Sequence, residues 1–257
     1  MWRKLEYYWR LAATGLSFAI FGLGGLSASL TLFNLIRLLP CSRQSKRVIS
    51  QRWVHQLFRF YIGLMKAMGV LTLDVRGKEQ LAASQGQIIL ANHPSLLDVV
   101  ILISLVPRAN CLIKESLQQN IFMRGIIAAA GYIGNGTDST LVLKHCQQVL
   151  NEGDNLIIFP EGTRSTPGQP ISLRRGAAQI AVRSQATVIP IHMQCHPTTL
   201  TKSERWYQIP EQRAHFSVAV MAPISSTTYQ VEASESRQAR RLTQYLQDLF
   251  NKAQGPL

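Results

Sequence analysis

From Leu11 to Ile36 the chain runs for 26 residues without a charged side chain. A helix needs about 20 apolar residues to cross the hydrocarbon core of a bilayer, so this run is long enough to be a membrane segment. Trp2, Tyr7, Tyr8 and Trp9 precede it, as interfacial aromatics do. Gly15, Gly22, Gly24 and Gly25 lie inside it, which lipid-embedded helices tolerate. Arg3, Lys4 and Arg10 stand before the run, and Arg37, Arg43, Lys46, Arg47 and Arg52 follow it. The heavier basic flank is downstream. By the positive-inside rule the rest of the chain is expected on the cytoplasmic face of the cell inner (plasma) membrane. The run could span the bilayer, lie in one leaflet, or be a leader cleaved near Ser27-Ala28-Ser29. It stays apolar past that last site, which argues against cleavage.

A second segment, Val48 to Met68, carries Trp53, Leu57, Phe60, Tyr61, Leu64, Met65 and Met68 at helical spacing, with Arg52, Arg59 and Lys66 between them. It reads as an amphipathic helix, packed on the domain or resting on an anionic surface. The whole chain of 257 residues has 27 Lys and Arg against 14 Asp and Glu, a net charge of +13. Nine of the basic residues and one acid, Glu6, fall before Tyr61, so most of the surplus lies beside the apolar run. That placement suits phospholipid headgroups and disfavours nucleic acid as a partner. Residues 1–69 are therefore read as a membrane-anchoring helical segment, and 70–257 as the domain that carries the chemistry.

Past Val70, short apolar runs alternate with helical patterns. Strands are expected at Leu71–Arg76, Gln87–Ala91, Cys111–Ile113, Asn155–Phe159, Thr187–His192 and Phe216–Met221. Helices are expected at Leu96–Leu105, Ile121–Ala130, Ser139–Asn151, Leu173–Ser184 and Glu232–Asn251. The alternation predicts an α/β fold, with a mostly parallel mixed sheet flanked by helices. Cys41, Cys111, Cys146 and Cys195 are too scattered for a disulfide framework or zinc module. His192, Cys195 and His196 are ligand types without a second cluster, so no metal is expected.

In such folds ligands bind beyond the carboxyl ends of the strands. Two turns stand there: Asn92-His93-Pro94-Ser95-Leu96-Leu97-Asp98, and Pro160-Glu161-Gly162-Thr163-Arg164-Ser165. If both strands are parallel, both turns face one cleft. In the first, Pro94 suits the first helical position and Ser95 or Asn92 can cap the helix. Asp98, in the first turns, can bend back to His93. A His–Asp pair fixes the tautomer and stabilises the imidazolium, which makes a general base. In the second, Gly162 allows close backbone approach, Arg164 can fork onto phosphate or carboxylate, and Glu161 can orient Arg164 or a substrate hydroxyl. The sequence has no G-x-S-x-G elbow, catalytic-cysteine signature or Walker P-loop. A base without a protein nucleophile suggests direct attack by a substrate hydroxyl.

The pair NHPSLLD and FPEGTRS, with Phe159 following Asp98 by 61 positions, resembles the lysophospholipid acyltransferase family, which includes the 1-acylglycerol-3-phosphate acyltransferases. Val188-Ile189-Pro190-Ile191 resembles that family's fourth, apolar motif. The resemblance covers roughly residues 71–223. It implies that His93, held by Asp98, deprotonates a lysolipid hydroxyl, which attacks the thioester of acyl-CoA or acyl-carrier protein as co-substrate. No resident cofactor is implied. Glu161, Gly162, Thr163 and Arg164 would bind the acceptor headgroup, with Asn92 and Pro190 also counted as substrate-binding. The family's second motif usually carries an Arg after a Gly. The corresponding stretch here, Gly131 to Asp138, has neither Arg nor Lys. That departure keeps an amino-acid-linked or glycosylated lysolipid open as acceptor beside lysophosphatidate. A lipid-binding protein without turnover is the remaining alternative, and the His93–Asp98 pair speaks against it.

Overall fold

The computed structural model describes residues 2–136, 138–229 and 234–254. Helix α1 (Trp2–Leu30) runs into the short α2 (Leu32–Leu38), and α3 (Arg43–Ala67) turns back. The α/β part follows in the order β1 (Leu71–Arg76), α4 (Lys78–Ala82), β2 (Ile88–Ala91), α5 (Asp98–Leu105), β3 (Ala109–Ile113), α6 (Arg124–Ala130) and β4 (Ile133–Gly134). Then come α7 (Ser139–Asn151), β5 (Asn155–Ile158), α8 (Gly176–Ser184), β6 (Thr187–His196), β7 (Ala214–Val220), β8 (Ile224–Ser225) and α9 (Glu235–Ala253). The expected start of the last helix, Glu232, lies outside the described residues.

The strands form one sheet in the order β1-β7-β6-β2-β5-β3-β4, with β8 paired to β6. Pairings are parallel from β6 through β2, β5 and β3 to β4, and between β1 and β7. Among the described residues the antiparallel pairings are those of β6 with β7 and with β8. The expected mostly parallel mixed sheet is what the chain forms. The short strands β4 and β8 and helix α4 are too brief to leave a periodic signal.

Alternation along the buried strands sorts their side chains to two faces. Ile89, Ala91, Ile157, Ile189 and Ile191 pack with α3, α5 and α6. Ile88, Leu90, Leu156, Ile158 and Val188 pack with α7, α8 and α9. The first core also takes in Phe33 and Ile36 from α2, and Val54, Phe58, Tyr61, Ile62 and Met65 from α3. The boundary drawn at residue 69 is thus one of composition: in packing, α2 and α3 belong to the same core as the sheet. A buried ion network fastens α3 further. Asp154, fully buried, pairs with Arg47 and Arg108 at 2.9 Å each and accepts from Gln51 at 2.9 Å.

Helix α1 lies along this body. Ala13, Thr14, Ser17 and Gly25 face inward, and Phe21 packs on Phe58 and Tyr61. Arg10 is buried and donates to the carbonyls of Pro210, at 3.0 Å, and Glu211. On the opposite face Leu16, Leu23 and Leu30 recur at intervals of seven and are more than half exposed. Trp2–Leu38 is long and apolar enough to cross a membrane, with a mean hydropathy of 1.7 over its 18-residue apolar window.

Candidate active site

Strands β2 and β5 are parallel neighbours with Leu90 opposite Ile158. Three residues beyond each member of that pair stand His93 and Glu161. The sheet register therefore brings the two sequence-distant turns side by side at the carboxyl edge, as the alternating pattern predicted.

The turn after β2 is held by its own side chains. The helix begins at Asp98, with Leu97 as N-cap, so neither Pro94 nor a Ser95 or Asn92 cap opens it as expected. Asp98 instead bends back: its Oδ2 accepts the Ser95 backbone N–H at 2.7 Å and lies 2.8 Å from Nδ1 of His93. An oxygen that takes a backbone N–H and faces a ring nitrogen favours the tautomer with its hydrogen on Nδ1, which in the neutral ring leaves Nε2 as the acceptor. Asp98 is fully buried, and its Oδ1 has no hydrogen-bond partner among the described residues. Burial pushes its carboxyl up, opposed by the His93 and Ser95 donors and the Arg164 charge. The His93 ring lies 4.3 Å from that of Phe159, which walls one side.

The second turn clamps the first. The Phe159 carbonyl accepts the Gly162 N–H at 3.1 Å, with Pro160 and Glu161 between them. Glu161 Oε1 accepts the His93 N–H at 2.9 Å and the Ser165 hydroxyl at 2.8 Å. Ser165 N–H donates to the His93 carbonyl at 2.7 Å. Burial raises the Glu161 carboxyl, and the bonds from Ser165 and His93 oppose that. Glu161 thus positions the His93 backbone. It does not pair with Arg164, whose Nη1 donates to the carbonyls of Leu200 at 2.8 Å and Thr201 at 2.9 Å. Thr163 lies half-buried on the same loop.

Two predicted contacts sit elsewhere. The Asn92 carboxamide donates to the Met193 carbonyl at 2.8 Å and accepts its N–H at 2.7 Å. It is a buried strut between β2 and β6, with both ends committed to backbone. Pro190 is buried in β6 beside Leu90, inside the sheet. Of the ligand-type residues His192, Cys195 and His196, strand alternation sends Cys195 to the face opposite the two histidines, so the three do not converge.

Sequence reasoning missed three groups. Ser165 stood inside the quoted motif without a role. Leu200, in the left-handed region at φ 54°, accepts both Leu96 N–H and Arg164, the latter from 36 residues away in sequence. Arg174 falls in the expected first turn of the helix Leu173–Ser184, which in the fold begins only at Gly176. Its N–H bonds the Pro160 carbonyl at 2.9 Å, and its guanidinium covers Gly162. Gly162 has φ 70°, and a Cβ there would come within 3.0 Å of that guanidinium. Arg174 makes no ion pair among the described residues, and with Gly162 it lines a cavity of about 350 Å³ between α7 and α8. The run Leu173-Arg174-Arg175-Gly176 was the signal available.

A family model described as "Acyltransferase" matches residues 72–194, which include both turns and most of β6. The chain is 25% identical over 206 residues to 1-acyl-sn-glycerol-3-phosphate acyltransferase alpha of Mus musculus, covering 76% of this chain and 68% of that one. It is 23% identical over 184 residues to the Homo sapiens alpha protein, covering 68% and 62%. The match thus spans about two thirds of these relatives' length. The crystal structure of the 1-acyl-sn-glycerophosphate acyltransferase PlsC from Thermotoga maritima superposes with a TM-score of 0.72 at 18% identity, over 99% of each chain, which shows a shared fold.

Proposed function

We propose that the chain, whose residues 72–194 match the acyltransferase family model, is a membrane-bound O-acyltransferase that acylates the free hydroxyl of a lysolipid. The carrying observation is the His93 Nδ1–Asp98 contact of 2.8 Å at the edge where β2 and β5 release their turns. Asp98 holds the Nδ1 proton, so Nε2 takes the proton of the acceptor hydroxyl as that oxygen attacks the thioester carbonyl. The tetrahedral intermediate collapses with departure of the thiolate, and His93 returns the proton to the leaving sulfur. Acyl-CoA or acyl-carrier protein supplies the thioester, and the chain's +13 charge favours either acidic donor.

Lysophosphatidate is the default acceptor. The relatives' names support it, and Arg174 over Gly162 offers the cation that the Gly131–Asp138 stretch lacks; Thr137 of that stretch lies outside the described residues. Arg164, half engaged by the carbonyls of residues 200 and 201, contributes its remaining donors. The inward stripe of α1 on the body and its outward leucines support a seat in one leaflet, with the basic residues after the run at the cytoplasmic face of the inner membrane.

The test is transfer by the purified chain in lipid micelles, with both thioester donors against lysophosphatidate and headgroup variants. Arg174→Gln should raise KM for lysophosphatidate about tenfold or more, the loss of a charge-assisted bond, with kcat little changed. Equal use of phosphate-free acceptors by wild type would overturn the phosphate reading. No transfer from any pair would overturn the enzyme mechanism.

A further inference from the structure

The segment between β6 and β7 joins two things that the catalytic account leaves unconnected. At its first end, the Thr199 carbonyl accepts the Ser95 hydroxyl at 2.9 Å, and the Leu200 carbonyl accepts Leu96 N–H at 3.1 Å and Arg164 at 2.8 Å. Leu200 holds a left-handed conformation, φ 54°, that is strained for a leucine and persists because these bonds and its own burial fix it. At its other end, the segment is fastened to α1. Arg10, 3% exposed, is committed to the carbonyls of residues 210 and 211. Trp206 lies 6.3 Å from Phe18, on the flank of α1 between its buried and exposed stripes, and a Cβ on Gly15 would meet the indole at 3.0 Å.

Between these ends the segment faces outward. Trp206 is 46% exposed and Tyr207 43%, with their rings edge to face at 5.6 Å. Arg205 bonds the Tyr207 hydroxyl at 2.7 Å, and Lys202 is exposed. Of the segment's two acids, Glu204 folds back onto Thr201 N–H at 2.9 Å, and Glu211 is exposed at the end fastened to α1. Amphipathic aromatics beside outward cations, contiguous with an apolar helix face, match the headgroup layer of an anionic leaflet in both polarity and charge.

We propose that residues 199–213 form a second membrane-contact element, in which Lys202, Arg205, Trp206 and Tyr207 sit in the headgroup layer of an anionic phospholipid leaflet beside α1. Its anchored first end then holds the His93 turn at a fixed level above that leaflet. The proposal rests on the membrane reading of α1, so its test carries a reporter for each. In the full-length chain, Trp2, Trp9 and Trp53 are changed to Phe, leaving Trp206 as the indole of the segment. A companion chain carries Leu16→Trp with Trp206→Phe as well, to report α1. Both are mixed with vesicles of equal parts phosphatidylcholine and phosphatidylglycerol, with and without acyl-chain bromination near the headgroup. The expected result is a blue shift and loss of most emission at both positions on brominated vesicles. Lys202→Glu and Arg205→Glu should each weaken vesicle binding about fivefold. If the Leu16→Trp reporter is quenched and Trp206 is not, the second contact is overturned and the α1 reading stands. If neither is quenched, the membrane reading itself falls, and this proposal with it. Quenching of Trp206 alone overturns the shared surface.

Discussion

A histidine can take a proton at Nε2 only if its other nitrogen keeps one, and in this chain a single carboxylate oxygen sees to that. Asp98 Oδ2 meets Nδ1 of His93 at 2.8 Å and Ser95 N–H at 2.7 Å. His93→Ala should therefore lower kcat by about 10²–10⁴-fold or more, with an unchanged circular-dichroism spectrum showing that the chain still folds. Transfer at wild-type rate by that variant would remove His93 from the mechanism. Asp98→Asn can keep the size and the Ser95 bond but offers its amide to Nδ1 or reverses the tautomer. A large kcat loss with little change in KM is expected in steady-state transfer assays. Gly162 is constrained by conformation and space at once: φ is 70° and Arg174 covers the missing Cβ. Gly162→Ala should raise acceptor KM by displacing that guanidinium, read from the same assays.

At the scale of elements, the decisive fact is register. Parallel pairing of β2 with β5 sets Leu90 beside Ile158, and three further residues on each strand deliver His93 and the Glu161 that clamps it. The anchoring helices are positioned just as specifically. Fully buried Asp154 gathers Arg47 from α3, Arg108 and Gln51, so Asp154→Ala removes the carboxylate that two partly buried guanidinium groups share and leaves Arg47 with Glu152 alone. Removing one partner of such a network costs about 3–5 kcal/mol, and denaturant unfolding of the variant in detergent should show a loss of that order. Gly125, in α6, faces Ser29 of α1, where a Cβ would come within 2.4 Å of side-chain atoms. Gly125→Ala should force the helices apart at about 1–3 kcal/mol, seen as a lowered thermal midpoint.

For the whole molecule, the packing of one sheet between two helical layers controls which reactive groups water can reach. Burial pushes the thiols of Cys111, Cys146 and Cys195 up to about 12, whereas Cys41 is exposed. A maleimide at pH 8 should label Cys41 alone in the folded chain and all four thiols after unfolding; rapid labelling of a second site would mean a looser core. The linkage has a definite sign. These thiols stay protonated in the fold but ionise near 9 when unfolded, so the stability they leave intact below pH 9 declines as pH rises toward 12. Titrating the unfolding midpoint upward from pH 8 tests this.

What the sequence determined on its own were features carried by local order: the uncharged run from Leu11 to Ile36, the strand–helix alternation that implies a mostly parallel sheet, and two polar turns following apolar strands. Period and composition suffice for these because each is set by neighbours in the chain. The contents of those turns also showed that His93 and Asp98 could meet, five residues apart. What only the tertiary structure decided were the partners of each polar atom. Asn92 and Arg164 look from their motifs like substrate ligands. In the fold, the first is wholly taken by Met193, and one nitrogen of the second by Leu200 and Thr201. Arg174, outside both motifs, is left free over Gly162. A buried donor or acceptor must be satisfied by whatever the fold brings within about 3 Å. Which group that is depends on crossings between residues far apart in the chain, 36 positions for Arg164 with Leu200 and 101 for Asn92 with Met193, and no pattern along the chain records them.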